Sequence, residues 1–514
     1  MDPAAWVEEA AAREPGRVFL RTPEGRRVDY GELDVASARF AAALRHRGVH
    51  CGDRVAAQID KSAEAVLLYV ACLRMGAVFV PLGAASTPPE LEYFLTDAEP
   101  RVVVIRPESL DSLEGTLRHA AVPVVETLGV DSNGSLADLS RDPAIRAEPA
   151  PRFAAEAGAA AAAAVAAIIY TSGTTGRSKG AMLTRGNLFS NATALAAAWR
   201  FTRDDVLLHS LPLNHVHGLF AAINTVLAAS ASLLWLPKFD AELVLASLPS
   251  ATVYMGVPTH YTRLLQLQGL SRESTATLRL FVSGSAPLLA ETHREFQDRT
   301  GQEILERYGM TETLMNTSNP YTGKRLAGSV GLPLPGVEVR VTDLASGAPQ
   351  QAADAIGQLE VRGPNVFTGY WQAPEKTRAE FTQDGWFKTG DLGRIDAEGY
   401  VFIVGRAKDL VISGGNNVYP KEIEAELDAL PGVLESAVFG VPHPDFGEAV
   451  TAVVVARPEA RLAETTLVGA LKGRVSGYKI PKRIFVLDEL PRNAMGKVQK
   501  NRLREHYASL FRTG

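Results

Sequence analysis

A chain of 514 residues is too long for one hydrophobic core to keep growing, so at least two domains with an extensive buried interior are expected. Its 46% apolar and 22% charged residues exclude a disordered or fibrous protein. A net charge of -5 without a long basic run excludes a nucleic-acid backbone as the main partner, and two cysteines, Cys51 and Cys72, are too few for a disulfide framework or a zinc site and read as packing residues.

The N-terminus, Met1-Asp2-Pro3 followed by Glu8 and Glu9, lacks the basic start and apolar core of a signal peptide, which points to the cytoplasm. Ser62–Met75 reads as a helix running into a strand over Ala77–Leu82, and this alternation predicts α/β layers with largely parallel sheets, most simply doubly wound. The stretch Arg146–Ala164 is Ala-rich, with Pro149 and Pro151, and reads as a connection or a poorly specified helix. The Ala-rich run Ala157–Tyr170 is too short to span a membrane, and Leu219–Leu236 is interrupted by Asn224, Thr225, Ser230 and Ser232, so both are expected in the core. Short β-branched runs at Val337–Thr342, Gly357–Arg362, Trp386–Thr389 and Gly399–Val404 predict a β-rich subdomain over 331–404. Beyond it, a helix over Lys421–Leu430, strands over Glu435–Gly440 and Val450–Val455 and a charged tail near Lys497–Arg504 predict a compact α+β domain. The expected division is thus a large N-terminal domain, 1–404, and a C-terminal domain, 405–514.

The strand-like Ala166–Tyr170 runs into Thr171-Ser172-Gly173-Thr174-Thr175-Gly176-Arg177-Ser178-Lys179-Gly180. Glycines let backbone N–H groups approach an anion, hydroxyls donate hydrogen bonds, and Lys179 neutralises charge, so the loop suits a polyphosphate. It is not a Walker A loop, because Ser178 stands in place of the glycine before the lysine and Gly180 in place of the Ser/Thr that would hold magnesium. Its order resembles the signature of the adenylate-forming superfamily, which includes acyl-CoA synthetases, luciferases and peptide-synthetase adenylation domains.

The resemblance extends in the family's order along nearly the whole chain: Ser283-Gly284-Ser285-Ala286-Pro287, Glu306-Arg307 before Tyr308-Gly309-Met310-Thr311-Glu312, Trp386-Phe387-Lys388-Thr389-Gly390-Asp391, Gly405-Arg406 and Pro491-Arg492-Asn493-Ala494-Met495-Gly496-Lys497. It implies a large layered α/β domain with a mobile α+β C-terminal domain, and ATP and CoA as co-substrates. ATP would be held by Thr171, Ser172, Gly173, Thr174, Thr175, Gly176 and Lys179, by Ala286 and Pro287 on the adenine side, and by Glu306 and Arg307. Thr311 would meet the α-phosphate, Glu312 would hold Mg2+ through hard carboxylate oxygens, and Asp391 with Arg406 would take the ribose. Lys497 would bridge the substrate carboxylate and the α-phosphate, stabilising charge where two anions react. Because Lys497 and the phosphate loop lie in different domains, adenylation requires closure. Thioester formation then requires a swing about a hinge at Lys408 that presents Gly414 and Gly415 to CoA.

For the acid, Pro212-Leu213-Asn214-His215-Val216-His217-Gly218 resembles the segment whose histidine, His215, borders the acyl pocket, although Asn214 replaces a common aromatic residue. Met310 is expected beside it. Gly256-Val257-Pro258-Thr259-His260-Tyr261-Thr262-Arg263 opens a helix that lines the acyl site in the family, and a dicarboxylate needs its distal charge paired there. Arg263 would make that bidentate pair, with Ser285 donating a hydrogen bond, although by sequence alone it reads equally as a solvated helix residue. With Asn316-Thr317-Ser318-Asn319-Pro320 and the Gly-Gly-x-Asn-Val-Tyr-Pro-Lys-Glu-Ile-Glu run, these segments look like the malonyl-CoA synthetases. The expected reaction is malonate, ATP and CoA to malonyl-CoA, AMP and diphosphate, with methylmalonate tolerated. The alternatives are a ligase for another short, medium or aryl acid and an inactive nucleotide sensor on the same fold. The expected partners are small molecules, with a lysine acyltransferase or deacylase acting on Lys497, and the expected state is a monomer or weak homodimer without a membrane span.

Overall fold

The computed structural model describes residues 3–146, 159–171, 178–492 and 497–511. Runs such as Val102-Val103-Val104-Ile105 are β-branched and wholly buried, the composition of a parallel strand covered on both faces. They assemble into two large sheets. One orders the strands 124–127, 102–105, 54–58, 78–81 and 165–171 in parallel, with 179–184 and 369–370 antiparallel at the far edge. The other has a parallel centre of 304–310, 280–283, 253–256, 206–209, 232–235 and 18–21, closed by antiparallel strands at both edges.

The helix Ala63–Met75 shows how local sequence serves this layering. Ser62 caps its first turn by accepting from the Ala65 N–H at 3.2 Å, and Gly76 ends it at φ 76°. All its residues are buried, as an apolar helix packed on every side must be. Tyr69 donates to Asn224 Oδ1 at 3.0 Å, and one continuous cluster of buried side chains draws on both sheets.

A four-stranded antiparallel sheet follows, from Glu338–Thr342, Gly357–Arg362, Phe387–Ile395 and Val401–Arg406. Beyond the turn Ala407–Asp409 comes a five-stranded sheet, built on the long hairpin Val433–His443 and Gly447–Ala456, with the helices Pro420–Asp428, Glu464–Leu471 and Lys500–His506 and its own core. The fold is thus α/β, with a large N-terminal and a small C-terminal domain. The small domain rests on the large one through Arg457–Glu291 at 2.8 Å and through Lys421, whose Nζ donates to the Ile403 carbonyl at 3.0 Å.

Two expectations are corrected. Ala159–Ala163 forms a short helix with no buried residue, because the strand Val165–Thr171 takes the burial expected of the whole Ala-rich run. Cys51 is exposed in a turn before the strand Arg54–Gln58, whereas Cys72 is buried. Among the described residues no helix is long and apolar enough to cross a membrane.

Candidate active site

Four sequence-predicted segments leave the larger sheet at the carboxyl ends of adjacent parallel strands. Ser210–Gly218 follows Val206–His209, the helix Pro258–Leu265 follows Val253–Gly256, Gly284-Ser285 follows Leu280–Ser283, and Thr311-Glu312 follows Ile304–Met310. Such an edge is where open α/β sheets place their ligands, since loops from neighbouring strands converge there. The turns are tight. A Cβ on Gly309 would lie 1.9 Å from the Leu314 carbonyl oxygen and one on Gly284 would lie 2.4 Å from Arg307 Cζ, while Ser285 is held at φ 72°. A non-glycine residue in that region stores strain of a kind that clusters at functional sites.

On the acid side, Asn214 Nδ2 pairs with His215 Nε2 at 3.3 Å, and Ser285 Oγ pairs with His217 Nδ1 at 3.3 Å. Burial, and then the charge of Lys497, holds the His215 imidazole down at about 4, so it is neutral at physiological pH. Burial also lowers His217 far below its usual value, with Arg307 adding to the effect. Met310 is half-buried at the end of its strand. Arg263 is exposed, the solvated of its two readings, because the helix Pro258–Leu265 turns His260, Tyr261, Leu264 and Leu265 inward. It still acts on the buried His260, whose imidazole stacks on Phe239 with ring centroids 3.7 Å apart. Arg307 is a fully buried guanidinium, pressed against Gly284, with Nε and Nη2 unmatched by any acceptor among the described residues and its pKa lowered to about 9 by desolvation.

On the nucleotide side, Thr171 and Lys179 face each other in the antiparallel pair of strands, while Ser172, Gly173, Thr174, Thr175 and Gly176 lie outside the described residues. Lys179 Nζ stands 5.4 Å from the Tyr370 ring centroid, and the Tyr370 hydroxyl donates to Glu312 Oε1 at 2.9 Å. Desolvation, followed by neighbouring Lys376, lowers the Lys179 ammonium, and burial raises the Glu312 carboxyl. Thr311, half-buried, precedes it. Asp391 is 2% exposed and receives Tyr308 Oη at 2.5 Å and Arg406 Nε at 2.7 Å. Asp391 and Arg406 are register partners on adjacent strands, and their ion pair raises the Arg406 guanidinium. Ala286 is half-buried and Pro287 exposed beyond Ser285. Burial lifts the Glu306 carboxyl to about 7, against the Gly328 N–H at 3.1 Å and the positive charge of Lys421.

From the C-terminal domain, Lys497 keeps contact with solvent, yet protein crowds its ammonium. Desolvation lowers its pKa, ahead of repulsion by Arg406, while Asp391 and Glu312 oppose the shift. Lys497 therefore shares one electrostatic environment with His215, Arg307, Glu312, Asp391 and Arg406. Asn493–Gly496 of its motif lie outside the described residues. Lys408 sits exposed in the turn directly after Arg406, its ammonium lowered by desolvation. Gly414 and Gly415, at φ 57° and 79°, form the two-residue turn between Val411–Ser413 and Asn416–Val418, the conformation a type I′ hairpin demands. They lie exposed on the edge hairpin of the small sheet, and no hydrogen bond among the described residues joins them to the cluster around Lys497.

No group of three or more His, Cys, Asp or Glu able to hold a metal occurs among the described residues. Glu312 fits a different arrangement, in which Mg2+ takes one carboxylate and draws its other ligands from substrate phosphates and water. Sequence reading gave no site role to Tyr308 or Lys421, although both lie inside quoted motifs, or to Tyr370, which carries no local signal because its partner is distant in the chain.

The AMP-binding enzyme family matches residues 7–371, and the AMP-binding enzyme C-terminal domain matches residues 422–497. The chain is 36% identical to the malonate–CoA ligase of Arabidopsis thaliana, over 98% of this chain and 88% of that one. It superposes on ATP-bound MatB from Rhodopseudomonas palustris with a TM-score of 0.94 and on apo MatB from the same organism with 0.83, at 52% identity and complete coverage of both chains in each case. With these matches spanning both domains and the converging segments between them, the chain belongs to the AMP-binding enzymes, as an AMP-forming acyl-CoA synthetase.

Proposed function

We propose that this acid–CoA ligase acts on malonate, with methylmalonate as a tolerated relative, and passes through a malonyl-adenylate to malonyl-CoA. The observation that carries the reading is the presence of Lys497, near the end of the C-terminal domain, in the electrostatic environment of Glu312, Asp391 and Arg307 from the large domain and of Arg406 at the domain boundary. In this arrangement Lys497 lies between the two anions that must react, the acid carboxylate and the α-phosphate, and stabilises the charge developing between them. Thr311 meets the α-phosphate, Lys179 and the loop from Thr171 cradle the remaining phosphates, and Asp391 with Arg406 takes the ribose hydroxyls. Mg2+, held by Glu312 together with the phosphates, supplies charge neutralisation when bound.

Support for malonate comes from the 36% identity to a malonate–CoA ligase and from the cations around the acid side. Arg263, open to solvent beside His260, pairs with the distal carboxylate as water leaves, and Ser285 donates to it. The boundary between domains falls at Gly405, with Lys408 as the hinge, and rotation there withdraws Lys497 and brings Gly414 and Gly415 to the pantetheine arm. The higher likeness to ATP-bound than to apo MatB supports an adenylation arrangement for the present conformation. When the domains open and Lys497 is withdrawn from this environment, it would become the target of a lysine acyltransferase and a deacylase.

The test is CoA- and ATP-dependent AMP release with malonate, methylmalonate, acetate, butyrate and coumarate. Malonate should give the highest kcat/KM, and a monocarboxylate exceeding it tenfold would overturn the assignment.

A further inference from the structure

Lys61 lies in the turn between the strand Arg54–Gln58 and the helix Ala63–Met75, but its side chain crosses to the other large sheet. Its Nζ donates to the carbonyl oxygens of His209 at 2.9 Å and Leu236 at 2.5 Å. These carbonyls stand at the carboxyl ends of two adjacent parallel strands, where Trp235 and His209 are register partners. Nζ is also 4.4 Å from the Trp235 ring centroid, and that ring stacks on the His209 imidazole at 4.8 Å and 14°.

The path continues toward the acid. His209 Nε2 pairs with the Gly218 carbonyl at 2.8 Å, and a Cβ on Gly218 would lie 2.0 Å from the Pro212 carbonyl oxygen, so this backbone has no room to drift. Gly218 follows His217, which pairs with Ser285, and Leu219 N–H donates to the His215 carbonyl at 3.0 Å. A chain of direct contacts therefore joins Lys61 to the turn bearing both histidines.

Seating a half-buried lysine against neutral carbonyls, with no carboxylate paired to it among the described residues, is costly, and a methionine of similar length would fill the space without that cost. Stability alone does not account for the cation. Its two hydrogen bonds give direction to the strand ends that an apolar side chain cannot supply, and cation–π attraction to Trp235 fixes the ring on which His209 stacks.

We propose that Lys61 is a positioning residue for the acid-binding half of the site: it ties together two strand ends and, through Trp235 and His209, holds the turn that presents His215 and His217. The inference rests on the proposed reading that these histidines border the acyl pocket. Lys61 touches no substrate, so its removal disturbs the placement of the acid and leaves the nucleotide side intact.

The test compares Lys61→Met and Lys61→Arg with the wild type in adenylation assays that vary acid and ATP separately. Lys61→Met should raise the KM for malonate at least tenfold while the KM for ATP stays within twofold, and Lys61→Arg, which keeps charge and donors, should recover to within threefold of wild type. Equal increases in both KM values, no increase in either, or failure of arginine to rescue would overturn the proposal. Should the methionine variant fail to fold, His209→Phe, which keeps the stack on Trp235 but loses the Gly218 contact, must raise the malonate KM selectively, and an unchanged value would be equally decisive. A wild-type enzyme that prefers another acid would refute malonate, and the same variants are then read with the preferred acid.

Discussion

Replacing Lys497 with alanine removes the cation that the C-terminal motif brings to the shared environment of Asp391, Glu312 and His215. Arg406 is held by Asp391 at 2.7 Å, and Arg307 is buried against Gly284, so neither is able to move into the vacated position. A single preorganised donor aimed at developing charge is worth about 2.7–4 kcal/mol, or about 100- to 1000-fold in rate, and without a substitute cation the upper part of that range is expected. The assay is malonate-dependent ATP–pyrophosphate exchange, run beside thioester formation from a supplied acyl-adenylate and CoA. Exchange should fall by about 1000-fold while the second half-reaction stays within about threefold, because the hairpin at Gly414 and Gly415 is untouched. Equal losses in both half-reactions, or a loss below tenfold in exchange, would refute the division of labour.

Arg263→Met should raise the malonate KM by about tenfold or more, the cost of losing a charge-assisted pair, and leave the KM for butyrate unchanged; parallel increases for both acids would show that Arg263 does not read the distal carboxylate. Gly309→Ala places a methyl group 1.9 Å from the Leu314 carbonyl oxygen and should cost about 1–3 kcal/mol, seen as a lower thermal midpoint, whereas an unchanged midpoint would contradict the tight turn. Burial raises Glu306 from 4.5 to about 7, so the group favours folding below about pH 4.5 and that advantage is lost as pH rises through 7. Glu306→Gln should therefore gain thermal stability relative to wild type between pH 5 and pH 8, and a gap that does not change with pH would count against the raised value.

What was legible in the sequence was what lies within a contiguous string. The motifs carrying Asp391 and Arg406, the segments at Ser283–Pro287 and Tyr308–Glu312, and the helix beginning near Ser62 are each read from residues a few positions apart. What escaped depends on neighbours far along the chain. Tyr308 meets Asp391, Tyr370 meets Glu312, and Lys61 meets His209 only once the sheets have packed. The strand Phe387–Ile395 runs past the expected Trp386–Thr389, because pairing with Val401–Arg406 carries Gly390-Asp391, which alone resembles a turn, into the ladder. The charge of Arg263 could not place it in or out of the interior; helical periodicity, which turns its neighbours His260 and Leu264 inward, leaves it in solvent.

The pairing of Asp391 with Arg406 occupies the last rung of its sheet, and the next residue opens the turn Ala407–Asp409. A body turning about a point beside its anchor sweeps its far end widely while the anchor scarcely moves. In the proposed rotation about Lys408, Lys497 and the glycine hairpin would be such far ends, and the proposed sugar grip of Asp391 and Arg406 the anchor. If the domain rotates as proposed, the consequence is processivity: the adenylate would not need to be released and recaptured between the two half-reactions, since one clasp would serve both faces of the rotating domain.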